Sequence, residues 1–159
     1  MNKNNNIIGQ STASRCFYLP SPPLLNDSWS IHTDKAINHL IEMNGNHWRK
    51  ILTIMAKISV SDTQWKHYRE HQLLKQNECI IIGATQLVTG AKQHFICGQQ
   101  SSELLQINNA NFAPLKGAEG YLSQHSKSSI FLCPYLDYRQ FPNLHIDNLR
   151  QVLGLPSLA

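Results

Sequence analysis

Two imidazoles with a glutamate between them stand at His67, Glu70 and His71. On a helix, residues four apart share a face, so His67 and His71 can hold one zinc ion while Glu70 activates its water. The neighbouring periodicity works against that use. If Trp65, Tyr68 and Leu73 face a core, then at about 100° per residue His67, Glu70 and His71 point to solvent. A second stretch, 128–143, carries more chemistry. Its apolar run 130–133 is stopped by Pro134, and behind it come Tyr135, Asp137, Tyr138, Arg139, Gln140, Phe141, Pro142 and Asn143. That is the composition of a strand feeding a functionalised turn, and turns at the carboxyl ends of strands in open α/β sheets are where ligands bind. Tyr135, Asp137, Tyr138, Arg139, Gln140 and Asn143, with Gln99 from an earlier turn, are therefore the expected ligand-binding residues, and a loop at 134–143 is expected to bind a ligand or a protein partner. Asp137 and Arg139 order that loop or contact the ligand in this reading; in the alternative they pair with each other or with backbone, and the rings are core.

The string around His67 resembles the zinc motif of the inverted zincin peptidases, which implies metal-dependent hydrolysis by His67, Glu70 and His71. Cys133 and Arg139 are spaced like the phosphate loop of the cysteine-dependent tyrosine phosphatases, which implies a thiolate nucleophile at Cys133 and an oxygen clamp at Arg139. The loop chemistry departs from that pattern, because Pro134 lacks an amide hydrogen and Asp137 would repel a phosphate. Gly83 and Gly90, followed by Ala91 and Lys92, are similar to a phosphate-binding Walker loop but are spaced two residues too far apart. Gly98-Gln99 and Cys133-Pro134, each after a strand, resemble the two active-site loops of the uracil-DNA glycosylase superfamily, with Gln100 and Cys133 where that family has an acid and a histidine. The resemblance implies a nucleic-acid-binding protein of glycosylase-like topology without the usual catalytic residues, using Tyr135, Tyr138 and Phe141 to stack on bases. The segment 131–143 resembles a family of short uncharacterised bacterial proteins of unknown function, which implies one domain and brings no activity with it.

Composition sets the frame for these sites. A chain of 159 residues with 42% apolar content suffices for one core, so no cofactor or metal is expected for stability. A net charge of +4 permits contact with nucleic acid, and Arg49, Lys50, Lys57, Lys66, Arg69 and Lys75 gather on two predicted helices. The same charges also suit the solvated outer faces of amphipathic helices. Four cysteines without close pairing indicate a reducing, cytoplasmic compartment. No stretch approaches the roughly 18 apolar residues of a membrane span.

The elements that must position these residues follow from pattern. Residues 1–15, rich in Asn and Ser, are expected to be a flexible tail, and 16–159 a single α/β domain. Phe17, Tyr18 and Pro20, with Leu24 and Leu25, read as an extended arm packed on it. Three helices follow: one capped by Thr33, one burying Trp48, Ile51, Leu52, Met55 and Ile58, and one opened by a Ser61 and Gln64 capping box. Short apolar runs at 79–82, 94–97 and 130–133 predict strands, 108–127 a long loop, and Asn143 the cap of a last helix. The expected fold is α/β: a small, mainly parallel sheet of three to four strands packed with helices, the N-terminal helices coming first.

Overall fold

The uncharged run at 79–82 lies where its composition places it. In the computed structural model, which describes residues 6–159, the strand Glu78–Ile82 is buried along its whole length. It is the third of seven strands in one sheet: β1 (Ile7–Gly9), β2 (Arg15–Leu19), β3 (Glu78–Ile82), β4 (Gln93–Cys97), β5 (Phe112–Pro114), β6 (Ser123–His125) and β7 (Ile130–Cys133). Their spatial order is β1-β3-β2-β4-β7-β6-β5. The middle strands β3, β2, β4 and β7 run parallel, and β1, β6 and β5 add antiparallel edges.

The α/β class stands, but the sheet is mixed and has seven strands among the described residues, where a mainly parallel one of three to four was expected. Three expectations fail together. The tail at 1–15 is part of the sheet from Ile7 onward, since β1 pairs with β3 through Ile8 and Ile80; residues 1–5 lie outside the described residues. Gly9 permits this docking: its φ is 95°, and a Cβ there would stand 2.8 Å from the Glu78 carbonyl. The arm at 17–20 is β2, an inner strand flanked by β3 and β4, so two strands precede the helices. Pro20 misleads because it falls just past the strand's end, where no ladder amide is required. Within 108–127, β5 and β6 pair as short antiparallel strands.

Alternation along the central strands divides the core in two. Phe17, Phe95 and Phe131 point to one face and stack in a row, with centroids 4.7 Å and 5.5 Å apart. On that face pack α1 (Ala36–Asn44), α2 (Asn46–Ser59), α3 (Trp65–His71) and α5 (Asn143–Val152). Cys16, Tyr18, Cys79, Ile81 and Ile96 point to the other, which is covered by the 84–91 connector and by Leu105 and Ile107, just past the short α4 (Gln99–Leu104). The predicted stripe of α2 is buried as expected. The helix ends differ from prediction. Thr33 caps nothing in α1, whose N-cap is Lys35 at φ 57°; Asp62, not Ser61, receives the Gln64 amide ahead of α3; and Pro142, not Asn143, precedes α5.

Two buried charged groups hold the helical layer. Arg150 in α5 is fully buried and donates to the carbonyls of Lys57 (2.9 Å), Val60 (2.7 Å), Asp62 (2.9 Å) and Pro156 (2.8 Å). It thereby places a positive charge at the C-terminus of α2, where the helix dipole favours one. Glu78 accepts from the Tyr68 hydroxyl, from the Leu74 amide (3.0 Å) and from Arg15 (3.4 Å). Burial is the main influence on its carboxyl and raises the pKa, against the opposing pull of those donors.

Candidate functional site

The chain leaving β2 passes to the helical face of the sheet, into α1. The chain leaving its neighbour β4 passes to the opposite face, where Leu105 and Ile107 pack. Between two such parallel strands the connections part and leave a crevice at the carboxyl ends. Here it has a volume of about 410 Å³. Pro20 and Ser21 line it from the end of β2, Gly98, Gln99 and Gln100 from the end of β4, and Tyr135 and Gln140 from the loop after β7. His47, at the start of α2, completes the wall.

The two loops are locked to each other. The Gly98 amide donates to the Cys133 carbonyl at 2.9 Å, and Gly98, at φ 90°, packs so closely that a Cβ would stand 3.3 Å from Tyr135 Cδ1. His47 Nε2 and the Tyr135 hydroxyl are 2.7 Å apart, with the rings tilted at 30°. Burial raises the Tyr135 phenol above its ordinary pKa, so the hydroxyl stays neutral and can exchange a hydrogen bond with imidazole or ligand. Gln99 donates to Glu103 at 3.1 Å, which leaves its carbonyl oxygen as an acceptor, and the Gln100 and Gln140 side chains are exposed. Pro20, Ser21, His47, Cys97, Gly98, Tyr135 and the three carboxamides bring no lysine, arginine or carboxylate to this wall.

Of the seven residues expected to bind a ligand, Tyr135, Gln140 and Gln99 meet in this crevice, and Asp137, Tyr138, Arg139 and Asn143 do not. Asp137 builds the turn: its carboxylate accepts the Arg139 amide at 3.0 Å, and its carbonyl accepts from Gln140 (2.9 Å) and Phe141 (2.7 Å). Arg139 is exposed and, among the described residues, forms no ion pair with Asp137. Phe141 is core. Tyr138 and Asn143 turn to the far side of the loop and meet Lys57, whose Nζ lies 4.9 Å from the Tyr138 centroid and 3.1 Å from Asn143 Oδ1. Ser21 and His47 carry no signal in the sequence, because only the sheet order brings them to the ends of β4 and β7.

Two further readings are corrected by the geometry. Cys133 Sγ is buried on the helical face and directed to the Phe131 carbonyl at 4.0 Å, and burial raises its thiol pKa. It is no thiolate nucleophile, and the exposed Arg139 has no phosphate loop to close. Cys97, against the crevice, is held neutral by burial in the same way. The His67 and His71 rings stand 4.6 Å apart, but Glu70 turns to Arg69 at 3.5 Å. No group of three metal-ligating side chains forms among the described residues, so the zinc-peptidase reading lacks its ligand set.

No helix among the described residues is long and apolar enough to cross a membrane. No curated protein and no solved structure matches the chain significantly. One family profile does match, over residues 6–154, and so spans all of β1 to α5: the chain belongs to DUF6942, a family of unknown function.

Proposed function

We propose that the chain is a single ligand-binding domain whose crevice, between the ends of β2, β4 and β7, takes a small uncharged polar molecule. The observation that carries this reading is the parting of the chain to opposite faces after the neighbouring strands β2 and β4, with the crevice at that point. The lining supplies the chemistry. Carboxamides at Gln99, Gln100 and Gln140, with Ser21 and the His47 and Tyr135 pair, present donors and acceptors without net charge. A charged ligand would leave water and find no counter-charge on this wall, whereas a neutral one with both kinds of group, the size of a nucleobase or a monosaccharide, can satisfy it. The cavity's size lies within the range of small-molecule sites. Four free buried cysteines suit a reducing compartment and support a cytoplasmic location.

A thermal-shift panel of uncharged nucleosides and monosaccharides tests the reading. A ligand present at about a hundredfold over its Kd raises the Tm of a domain this size by about 5–10 °C. The rise should vanish in the double variant Gln99→Ala, Gln140→Ala, whose exposed side chains leave the core untouched. A panel without effect, or a rise kept by that variant, removes the crevice as the site.

A further inference from the structure

We propose that the groove between α2, α3 and Tyr138 binds an oligophosphate, a ligand carrying two or more linked phosphate groups. It opens on the opposite side of the 134–143 loop from the crevice, and nothing in it depends on what the crevice binds. Its volume is about 520 Å³. Arg49 and Lys50 line it from α2, Lys66 and Arg69 from α3, with Trp65 and Tyr138 as its aromatic walls and no carboxylate in the lining.

Four like charges around one cavity repel one another, and one of the four, Arg69, is held in place by its surroundings. Arg69 Nη1 donates to Thr53 Oγ1 at 2.8 Å, and that hydroxyl donates to the Arg49 carbonyl at 2.7 Å. The Arg69 guanidinium also lies 5.6 Å from the Trp65 centroid, and Lys57 Nζ lies 4.8 Å from the same ring and 4.9 Å from Tyr138. Cation–π contacts hold cations in position without neutralising them. Among the described residues, Glu70 is the one carboxylate in contact, at a long 3.5 Å from Arg69 Nη2. The side chain of Arg69 is only 13% exposed, and its Nε is buried without a hydrogen-bond partner among the described residues, so its charge sits where solvent and salt screen it least. A guanidinium fork held in place beside a second guanidinium and two ammonium groups is the chemistry that recognises phosphate oxygens.

The distribution of charge favours a compact anion over a nucleic-acid strand. A strand needs a basic path to follow and free aromatic faces for its bases. Here Lys57 and Arg69 already lie over the Trp65 ring. None of Lys75, Lys92, Lys116 or Lys127 lines the groove, Arg15 pairs with Glu78, and Arg150 is spent on backbone carbonyls.

Titration of the whole chain with inorganic pyrophosphate, followed by calorimetry and by Tm, tests the assignment. The expected result is saturable binding at one site, a rise in Tm, and weakening as salt is added. The variant Arg49→Gln, Lys66→Gln removes two exposed cations from the rim and should weaken binding by about tenfold or more. Lys116→Gln, Lys127→Gln removes the same charge elsewhere and should leave affinity within about twofold. The proposal is overturned by no response to pyrophosphate, by equal affinity in the groove variant, or by equal loss in both variants. Binding to a twelve-residue oligothymidylate without binding to pyrophosphate also overturns it, and gives the groove to a nucleic-acid strand instead.

Discussion

The two faces of the sheet solve the same problem with different means. The helical face buries the Phe17, Phe95 and Phe131 row under four helices and ties the layer down with charged anchors, Arg150 and Glu78. The opposite face has little more than a connector and a short helix over it, and its polar group is a neutral pair: the Tyr18 hydroxyl lies 2.7 Å from His94 Nδ1 and accepts from the Val88 amide at 2.9 Å. Where several helices exclude water, a charge can be kept if every donor finds an acceptor; where one loop does so, a neutral hydrogen bond suffices to hold the loop. The difference also explains the crevice. It lies at the seam where chain leaving β2 goes to the thick face and chain leaving β4 to the thin one.

The largest loss is expected at Arg150, on the helical face. Replacing it by Met removes four hydrogen bonds and strands the carbonyls of Lys57, Val60, Asp62 and Pro156 around an apolar side chain. A buried carbonyl left without its donor costs about 1–3 kcal/mol, and with four of them losing one the loss should reach about 3 kcal/mol or more. Urea unfolding of Arg150→Met should show a loss of that size. A loss under about 1 kcal/mol would mean that the helical layer is held by its apolar contacts alone and that the charged anchor is incidental.

A smaller loss is expected on the thin face. Tyr18→Phe keeps the ring and deletes one hydroxyl, leaving the Val88 amide and His94 Nδ1 without their partner. Unsatisfied neutral groups of this kind cost about 1–3 kcal/mol. Because Val88 belongs to the connector, amide hydrogen exchange across 84–91 should accelerate more than the loss of global stability accounts for. Uniform acceleration over the whole sheet would show that the hydroxyl supports the core rather than the cover.

This contrast also separates what the sequence shows from what it hides. The stripe Trp48, Ile51, Leu52, Met55 and Ile58 is legible because one helix face is buried against one layer, and 79–82 because a strand covered on both sides has no charge to interrupt it. β1, β5 and β6 are three residues each, and strands that short carry no alternation to detect. Arg150 is illegible for a different reason. Its acceptors are backbone carbonyls, which any sequence provides, so nothing distinguishes it from a solvated arginine on the outside of a helix. The loop at 134–143 is found from its composition, but its composition does not say which residues line the crevice: an aspartate two residues before an amide is well suited to close a turn, and Asp137 closes this one. His47 stays hidden because its meeting with Tyr135 spans 88 positions in the chain.

Acid gives the finest test, because the two faces should answer it with opposite signs. Burial lowers the pKa of His94 below its ordinary 6.5, against a smaller upward pull from the bond to Ala91. A basic group whose folded pKa is depressed stabilises fully above its unfolded pKa, and that stability is lost as pH falls through the folded one. Burial raises Glu78 above its ordinary 4.5, so the folded state holds its proton more tightly than the unfolded chain does. Its contribution is greatest below the unfolded pKa and falls away as pH rises through the folded value. On lowering the pH from 7 towards 5, the thin face should weaken through His94 while the helical face gains through Glu78. Melting curves over that range separate them: His94→Gln should remove the acid-dependent loss of Tm, and Glu78→Gln, less stable at every pH, should show a steeper acid-dependent loss than the parent. If both variants keep the parent's slope, neither buried group governs the pH response. The neutral and charged anchors would then differ in the bonds they make but not in their linkage to protons.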